Sequence, residues 1–290
     1  MIQHSELIIN ADGSIFHLHL KPGQISDNVI LVGDPARVDT IASCFSKIEV
    51  SVQNREFKTV TGLYNNKKLT VISTGIGTDN IDIVLNELDA LANIDLGTRT
   101  INKVHKSLNI VRIGTSGGLQ PDLPVNSFVV STKSIGFDGM LNFYANRQQH
   151  CDLEFEKAFR DFTSWDRSLP TFYVVGASEK LLSKFDVSIF NSGVTISAPG
   201  FYGPQGRVLR LPLAVPELNK QIEGFRYKQY KITNFEMESS AIYGLSKMLG
   251  HEALTVCLII ANRVTKSANE NYRDEMKKLI HLVLERLTTV

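Results

Sequence analysis

Cysteine is scarce, and its spacing builds nothing. Cys44, Cys151 and Cys257 are odd in number, far apart and without a CxxC pair. This argues against a disulfide framework and a thiolate zinc site, and suits reduced thiols in a cytoplasmic protein. Histidine offers no metal spacing either. No HExxH occurs, and His251-Glu252 runs on to Leu254-Thr255 without a second histidine, so no metal is expected. An excess of one charge is also missing, with 31 Lys plus Arg against 30 Asp plus Glu. No broad basic field exists to hold a nucleic acid backbone. No apolar run reaches a membrane span, and the N-terminus lacks the basic and apolar regions of a signal peptide. Linkers and repeats are absent as well. With 43% hydrophobic residues in 290, the expectation is a single domain over 1–290 with a loose tail at 1–14.

What is present alternates between strand and helix, the pattern of an α/β fold. Val29–Val32 reads as a buried strand running into Gly33-Asp34-Pro35, where Asp34 suits an N-cap and Pro35 the first helical position. The helix should reach about Phe45. Its start can hold an anion, with Gly33 allowing close approach and Arg37 within reach; taken alone, an ordinary turn with a solvated arginine is the simpler reading. Ile48–Val60 and Leu69–Thr74 read as strands, and residues 75–80 as a glycine-rich turn before a helix carrying Ile81, Val84, Leu85, Leu88 and Leu91 on one face. That turn is not a dinucleotide fingerprint, because position 80 is asparagine and no acid-terminated strand follows. Further on, helices are expected at 154–162, 178–184, 216–225, 239–249 and 270–287, and strands at 128–131, 171–175, 194–198 and 254–261.

Three stretches carry chemistry. Ile110–Ile113 is a short β-branched run enclosing Arg112, and it is expected to stop at the turn Gly114-Thr115-Ser116-Gly117-Gly118. A buried guanidinium needs an anion, which is either a bound phosphate or carboxylate or a structural carboxylate. The same five residues match the G-x-S-x-G elbow of serine hydrolases, with Ser116 as nucleophile. An elbow leads into a helix, however, and the prolines at 121 and 124 make the next segment a loop. The second stretch, 199–207, offers aromatic faces, the Gln205 amide and the Arg207 guanidinium, a set suited to a planar heterocycle, although taken alone it reads more simply as a polar surface loop. The third, Asn234–Glu238, places Glu236 and Glu238 around Met237 where a strand meets a helix. There a carboxylate either complements the helix dipole or accepts from a vicinal diol such as ribose.

In this order, the motifs resemble the nucleoside phosphorylase superfamily, most closely its uridine-cleaving members. FHL lies at 16–18, GDPARV at 33–38, REF at 55–57, STGIG at 73–77 and RIGTSG at 112–117, followed by FYGPQGR at 201–207 and FEMES at 235–239. The resemblance implies one domain with a central mixed sheet flanked by helices, and a pentosyltransferase without cofactor that uses inorganic phosphate as co-substrate. It implies phosphate on Gly33, Arg37, Arg112 and Thr115, with Arg55 reaching in from a partner subunit. Ribose would meet Met237, Glu236 and Glu238, with His17 also lent by the partner. Uracil would lie on Phe201 and bond Gln205 and Arg207, with Gly117 close and Arg263 near its far carbonyl. Arg112, Arg263 and Glu238 would be the catalytic set. Asn262-Arg263 stands where purine-specific relatives carry an aspartate, which favours a pyrimidine. Two departures stand out. Gly203 precedes Pro204 in the base loop, and Asn80 replaces the serine that, with Glu56 and Ile76, would bind a K+ ion at a dimer interface, leaving that ion in question. The implied assembly is a dimer, in some members a hexamer. The implied reaction is reversible phosphorolysis of uridine to uracil and ribose 1-phosphate. The alternatives are another base specificity (thymidine, deoxyuridine or purine), a nucleosidase, a Ser116 hydrolase and a nucleoside-binding protein.

Overall fold

The computed structural model describes residues 1–185 and 188–289. Strand β1 (Asn28–Val32) hands directly to helix α1 (Pro35–Ala42). Asp34 caps that helix as its residue type predicts, accepting from the Ala36 N–H at 2.9 Å. The helix stops short of Phe45 because the chain tightens there, the Phe45 N–H bonding the Ala42 carbonyl at 3.0 Å. Three antiparallel neighbours follow in part: β2 (Lys47–Asn54), β3 (Phe57–Tyr64) and β4 (Lys67–Ser73). The strand expected over 48–60 is therefore a hairpin. Its two-residue turn, Arg55-Glu56, lacks the usual Asn-Gly signal, and Arg55 itself takes the left-handed conformation at φ 53°. Helix α2 (Thr78–Asn93) buries the predicted face of Ile81, Val84, Leu85, Leu88 and Leu91.

Strand β5 (Asn109–Gly118) corrects a larger expectation. The glycine-rich segment does not turn away at Gly114 but continues as strand. The remaining long elements are β6 (Phe128–Gly136), α3 (Leu153–Thr163), β7 (Tyr173–Gly176), β8 (Asn191–Ser197), α4 (Leu218–Gly224), β9 (Tyr230–Glu236), α5 (Ser239–Met248), β10 (Glu252–Asn262) and α6 (Arg273–Thr288). They form a mixed sheet in the order β9-β8-β6-β10-β5-β1-β4-β3-β2, with helices packed against it. β10 runs parallel to β5 along its whole length. Where β1 leaves the other edge of β5, β9 arrives antiparallel, pairing Phe235 with Gly117 and Asn234 with Gly118. Pairing with β10 keeps Gly114 extended, and pairing on both edges does so for Gly117 and Gly118. This pairing also closes β5, β10, β6, β8 and β9 into a ring.

One apolar cluster joins β1, β4 and β5 to α2, α5 and α6. A second, rich in phenylalanine, fills the far end around Phe155, Phe159, Phe172, Phe225 and Phe235. Residues 1–14 are not a loose tail. Leu7 and Ser14 are buried, Ile9 bridges Ile15, and the Ile2 N–H bonds the Arg99 carbonyl at 2.7 Å. The turn is fixed by Asp12, which accepts from the Ser14 N–H at 3.0 Å and hydroxyl at 2.6 Å. Among the described residues no helix is long and apolar enough to cross a membrane.

Candidate active site

In an open α/β sheet, ligands gather at the carboxyl ends of parallel strands. Here Gly33 just past β1, Gly75 just past β4, Phe201 in the loop after β8 and Glu236 at the end of β9, together with Thr115–Gly117 of β5, enclose a cavity of about 760 Å³. Of the residues singled out by sequence, Gly33, Arg37, Arg112, Thr115, Gly117, Phe201, Gln205, Arg207, Glu236, Met237 and Glu238 all line it. His17, Arg55 and Arg263 do not.

At one end stand two guanidiniums. Arg112 is buried in β5, with Nη2 on Glu238 and Nη1 3.5 Å from Glu236 Oε2. Burial works against its charge, but Glu238 and then Glu236 outweigh that and raise its pKa above the ordinary arginine value. Glu238 is raised as well, by burial first and by Glu236, against the pull of Arg112. Arg37 differs. Its Nη1 donates to the Ile113 carbonyl at 3.3 Å, and no carboxylate pairs with it among the described residues. Burial and then the Arg112 charge lower its pKa. A half-buried cation repelled by a second cation favours an added anion. The α1 N-terminus contributes less than expected, because Asp34 already takes the Ala36 N–H.

The two carboxylates do different things. Glu236 is occupied: Oε1 accepts from the Ser197 hydroxyl at 2.5 Å and Oε2 from the Glu238 N–H at 2.9 Å, and both accept from the Ser239 N–H. It caps the start of α5. Glu238 is also buried in the cavity wall, with Oε1 accepting from the Gly77 N–H at 2.9 Å. Gly77 reaches this position only with φ 102°, a region closed to side chains. The GIG motif thus aims a backbone donor at Glu238, a role the sequence reading missed when it took those glycines as a plain turn.

At the other end lies the aromatic loop. Arg207 stacks on Phe201, its guanidinium carbon 3.6 Å from the ring centroid, and its Nη1 donates to Gln205 Oε1 at 2.7 Å and to the Phe201 carbonyl at 2.5 Å. Arg263 sits behind this loop, donating to the Gln205 carbonyl from Nη1 and crossing the Phe235 ring at 5.4 Å. Asn219 Nδ2 donates to the same carbonyl at 3.0 Å. Burial, then Arg207, lowers the Arg263 pKa to about 10. A smaller cavity of about 280 Å³ lies beyond the loop, walled by Phe137, Trp165, Pro199 and Pro204, with few polar groups to orient a nucleoside.

The remaining candidates take other places. His17 Nδ1 pairs with Glu87 at 2.6 Å, and Arg55 is exposed at the β2–β3 tip. The two are neighbours, since Asn54 Nδ2 donates to the His17 carbonyl at 2.8 Å. Asn80 Nδ2 donates to Glu56 Oε1 at 3.3 Å. Ser116 lies within a strand, and its hydroxyl has no hydrogen-bond partner among the described residues. With no activating base and no following helix, it is not a nucleophile elbow. Cys257, beneath Arg112, is pushed up to about 12, chiefly by burial, and is inert. Asp89, His105 and His251 cluster elsewhere. There His251 Nδ1 accepts from the Leu108 N–H at 3.2 Å, which puts its proton on Nε2 and leaves no lone pair for a metal.

The cavity thus has two arginines at one end, two carboxylates between, and an aromatic loop with an amide at the other, an arrangement that can hold an anion and a planar polar group in one space. The chain belongs to the phosphorylase superfamily, whose family model matches residues 27–290. It is 28% identical over 260 residues to a uridine phosphorylase of Thermococcus kodakarensis, spanning 88% of this chain and 79% of that one. It is also 28% identical over 273 residues to a DeoD-type purine nucleoside phosphorylase of Buchnera aphidicola, spanning 93% and 97%. Among solved structures it superposes on a Trypanosoma brucei nucleoside phosphorylase described as showing uridine phosphorylase activity. The TM-score is 0.89 at 30% identity, covering 98% of this chain and 100% of that one. The protein is therefore a nucleoside phosphorylase, a pentosyltransferase that takes a nucleoside and phosphate.

Proposed function

We propose that the nucleoside is uridine, and that the protein cleaves it reversibly to uracil and ribose 1-phosphate in pyrimidine salvage or catabolism in the cytoplasm. The observation that carries this reading is the base end. Gln205 and Arg207 beside the Phe201 ring match an imide edge, which presents two carbonyl acceptors around one N–H. A purine would need an acid near its imidazole nitrogen. The candidate position, Asn262, is committed to the fold, its Nδ2 donating to the Gln120 and Leu123 carbonyls at 2.8 Å each.

In this reading phosphate takes Arg37 and Arg112, with Gly33 and Thr115 beside it. Drawing Arg112 toward phosphate frees Glu238 to accept from the ribose hydroxyls, while Glu236 holds α5 in place. Phosphate attacks C1′ as the glycosidic bond breaks, and the electron pair leaves on the base. Arg207 meets that charge directly, and Arg263 acts through the Gln205 carbonyl. Positioning both reactants contributes as well. His17 and Arg55 support a dimer: they lie together, outside their own cavity, on one surface that a second copy could cover. The Asn80 amide already serves Glu56, so a K+ ion is not part of the reading. The test is a substrate panel with phosphate. Uridine should be cleaved at least 100-fold more efficiently than inosine; faster cleavage of inosine or thymidine would assign a different base.

A further inference from the structure

We propose that Arg207, stacked on Phe201 and bonded to Gln205, occupies the place of the base, so that the base binds by exchange for the guanidinium. This rests on the reading of Phe201–Arg207 as the base end. A pyrimidine needs a flat aromatic face to stack on and the Gln205 amide to bond. Both are already engaged by one planar, hydrogen-bonding group. The Arg207 guanidinium lies 3.6 Å from the centre of the Phe201 ring, a distance that admits no second ring between them. The same group donates to Gln205 Oε1 at 2.7 Å, the contact an imide N–H would make.

The loop is built for this exchange. Gly206, between the two recognition residues, adopts φ 70°, and a Cβ there would lie 2.1 Å from Asn219 Nδ2. Arg207 can therefore fold back over Phe201 while Asn219 and Arg263 fix the Gln205 backbone from behind. No carboxylate pairs with Arg207 among the described residues, and burial lowers its pKa. Its hold on the ring is stacking and two hydrogen bonds to neutral acceptors. These can be given up, and once displaced the guanidinium can turn its donors on a base carbonyl. Only a ligand with both a donor for Gln205 and an acceptor for Arg207 replaces what it removes.

The experiment combines a crystal structure of the protein with uracil and phosphate and stopped-flow uracil binding. With uracil on Phe201, the Arg207 guanidinium should lie more than ~6 Å from the ring centroid, the outer limit of such contacts. Observed association rates should saturate with uracil concentration, since displacement becomes limiting. Arg207→Lys cannot stack and bond Gln205 at once. It should associate at least threefold faster and lose the saturation, while binding uracil more weakly. Uracil bound with Arg207 still on the ring would overturn the exchange and leave the base assignment intact. Slower association in Arg207→Lys would also overturn it. No uracil binding to the wild-type protein would overturn the base assignment itself, and the exchange with it.

Discussion

Replacing Arg112 by alanine tests the buried charge cluster under two independent readouts. The substitution leaves Glu238 and Glu236, whose side chains are 4% and 1% exposed, without their cation. Breaking a buried pair from one side costs about 3–5 kcal/mol. At roughly 2–4 °C per kcal/mol for a protein of this size, the midpoint of thermal unfolding should fall by on the order of 10 °C at pH 8. The pH dependence has a definite sign. Glu238 already has a raised pKa from burial, and Arg112 is what holds it down. Without the arginine it rises further, so the folded state binds its proton more tightly than the unfolded chain does. Stability is then regained as pH falls through the raised pKa toward the ordinary carboxylate value, and lost as pH rises. Thermal unfolding at pH 8 and pH 5.5, without phosphate, should show the gap to wild type narrowing on acidification. A difference under about 2 °C at pH 8, or a gap that widens in acid, would refute the account. Phosphorolysis by the folded variant should drop at least ~10²–10³-fold.

Gly77→Ala forces a side chain into φ 102° and places a Cβ 2.8 Å from Asp79 Oδ1. It should cost about 1–3 kcal/mol in chemical unfolding and raise the KM for the nucleoside by loosening Glu238. Asn262→Asp sets a carboxylate against two carbonyls and should destabilise the chain by about 2–4 kcal/mol without creating inosine cleavage; a stable variant that cleaves inosine would show that this position reads the base. Arg55→Ala and Arg37→Ala should each be inactive alone. Mixed and reassembled, they should regain about a quarter of wild-type activity, because in the dimer reading one mixed site receives neither substitution; no recovery would contradict sharing across subunits.

Much of the site was legible because its residues are polar groups at strand ends, where glycine, arginine and glutamate have few structural uses. Arg112, Glu238 and Gln205 were found that way, and helix α1 from its Asp34-Pro35 start. What failed were readings that depend on distant partners. Gly114–Gly118 looks like a turn until β10 pairs along it and β9 joins at Gly117 and Gly118. Arg55-Glu56 has no turn composition, and the hairpin exists because β3 must return beside β4. The tail at 1–14 is short and shows no strand or helix period, yet Leu7 finds the core. The roles of Gly77, Ser197 and Asn219 lie in contacts 39 or more residues away for the first two, and 14 for the last, beyond any local pattern. Arg263 is a base contact only by the resemblance; its Nη1 is on the Gln205 carbonyl, while its buried Nη2 has no hydrogen-bond partner among the described residues.

The most direct measurement is uridine cleavage by the purified protein with phosphate present and withheld, with uracil and ribose 1-phosphate both quantified. The account predicts no cleavage without phosphate, and with it one ribose 1-phosphate for each uracil released. Uracil formed in phosphate-free buffer, accompanied by free ribose, would contradict it.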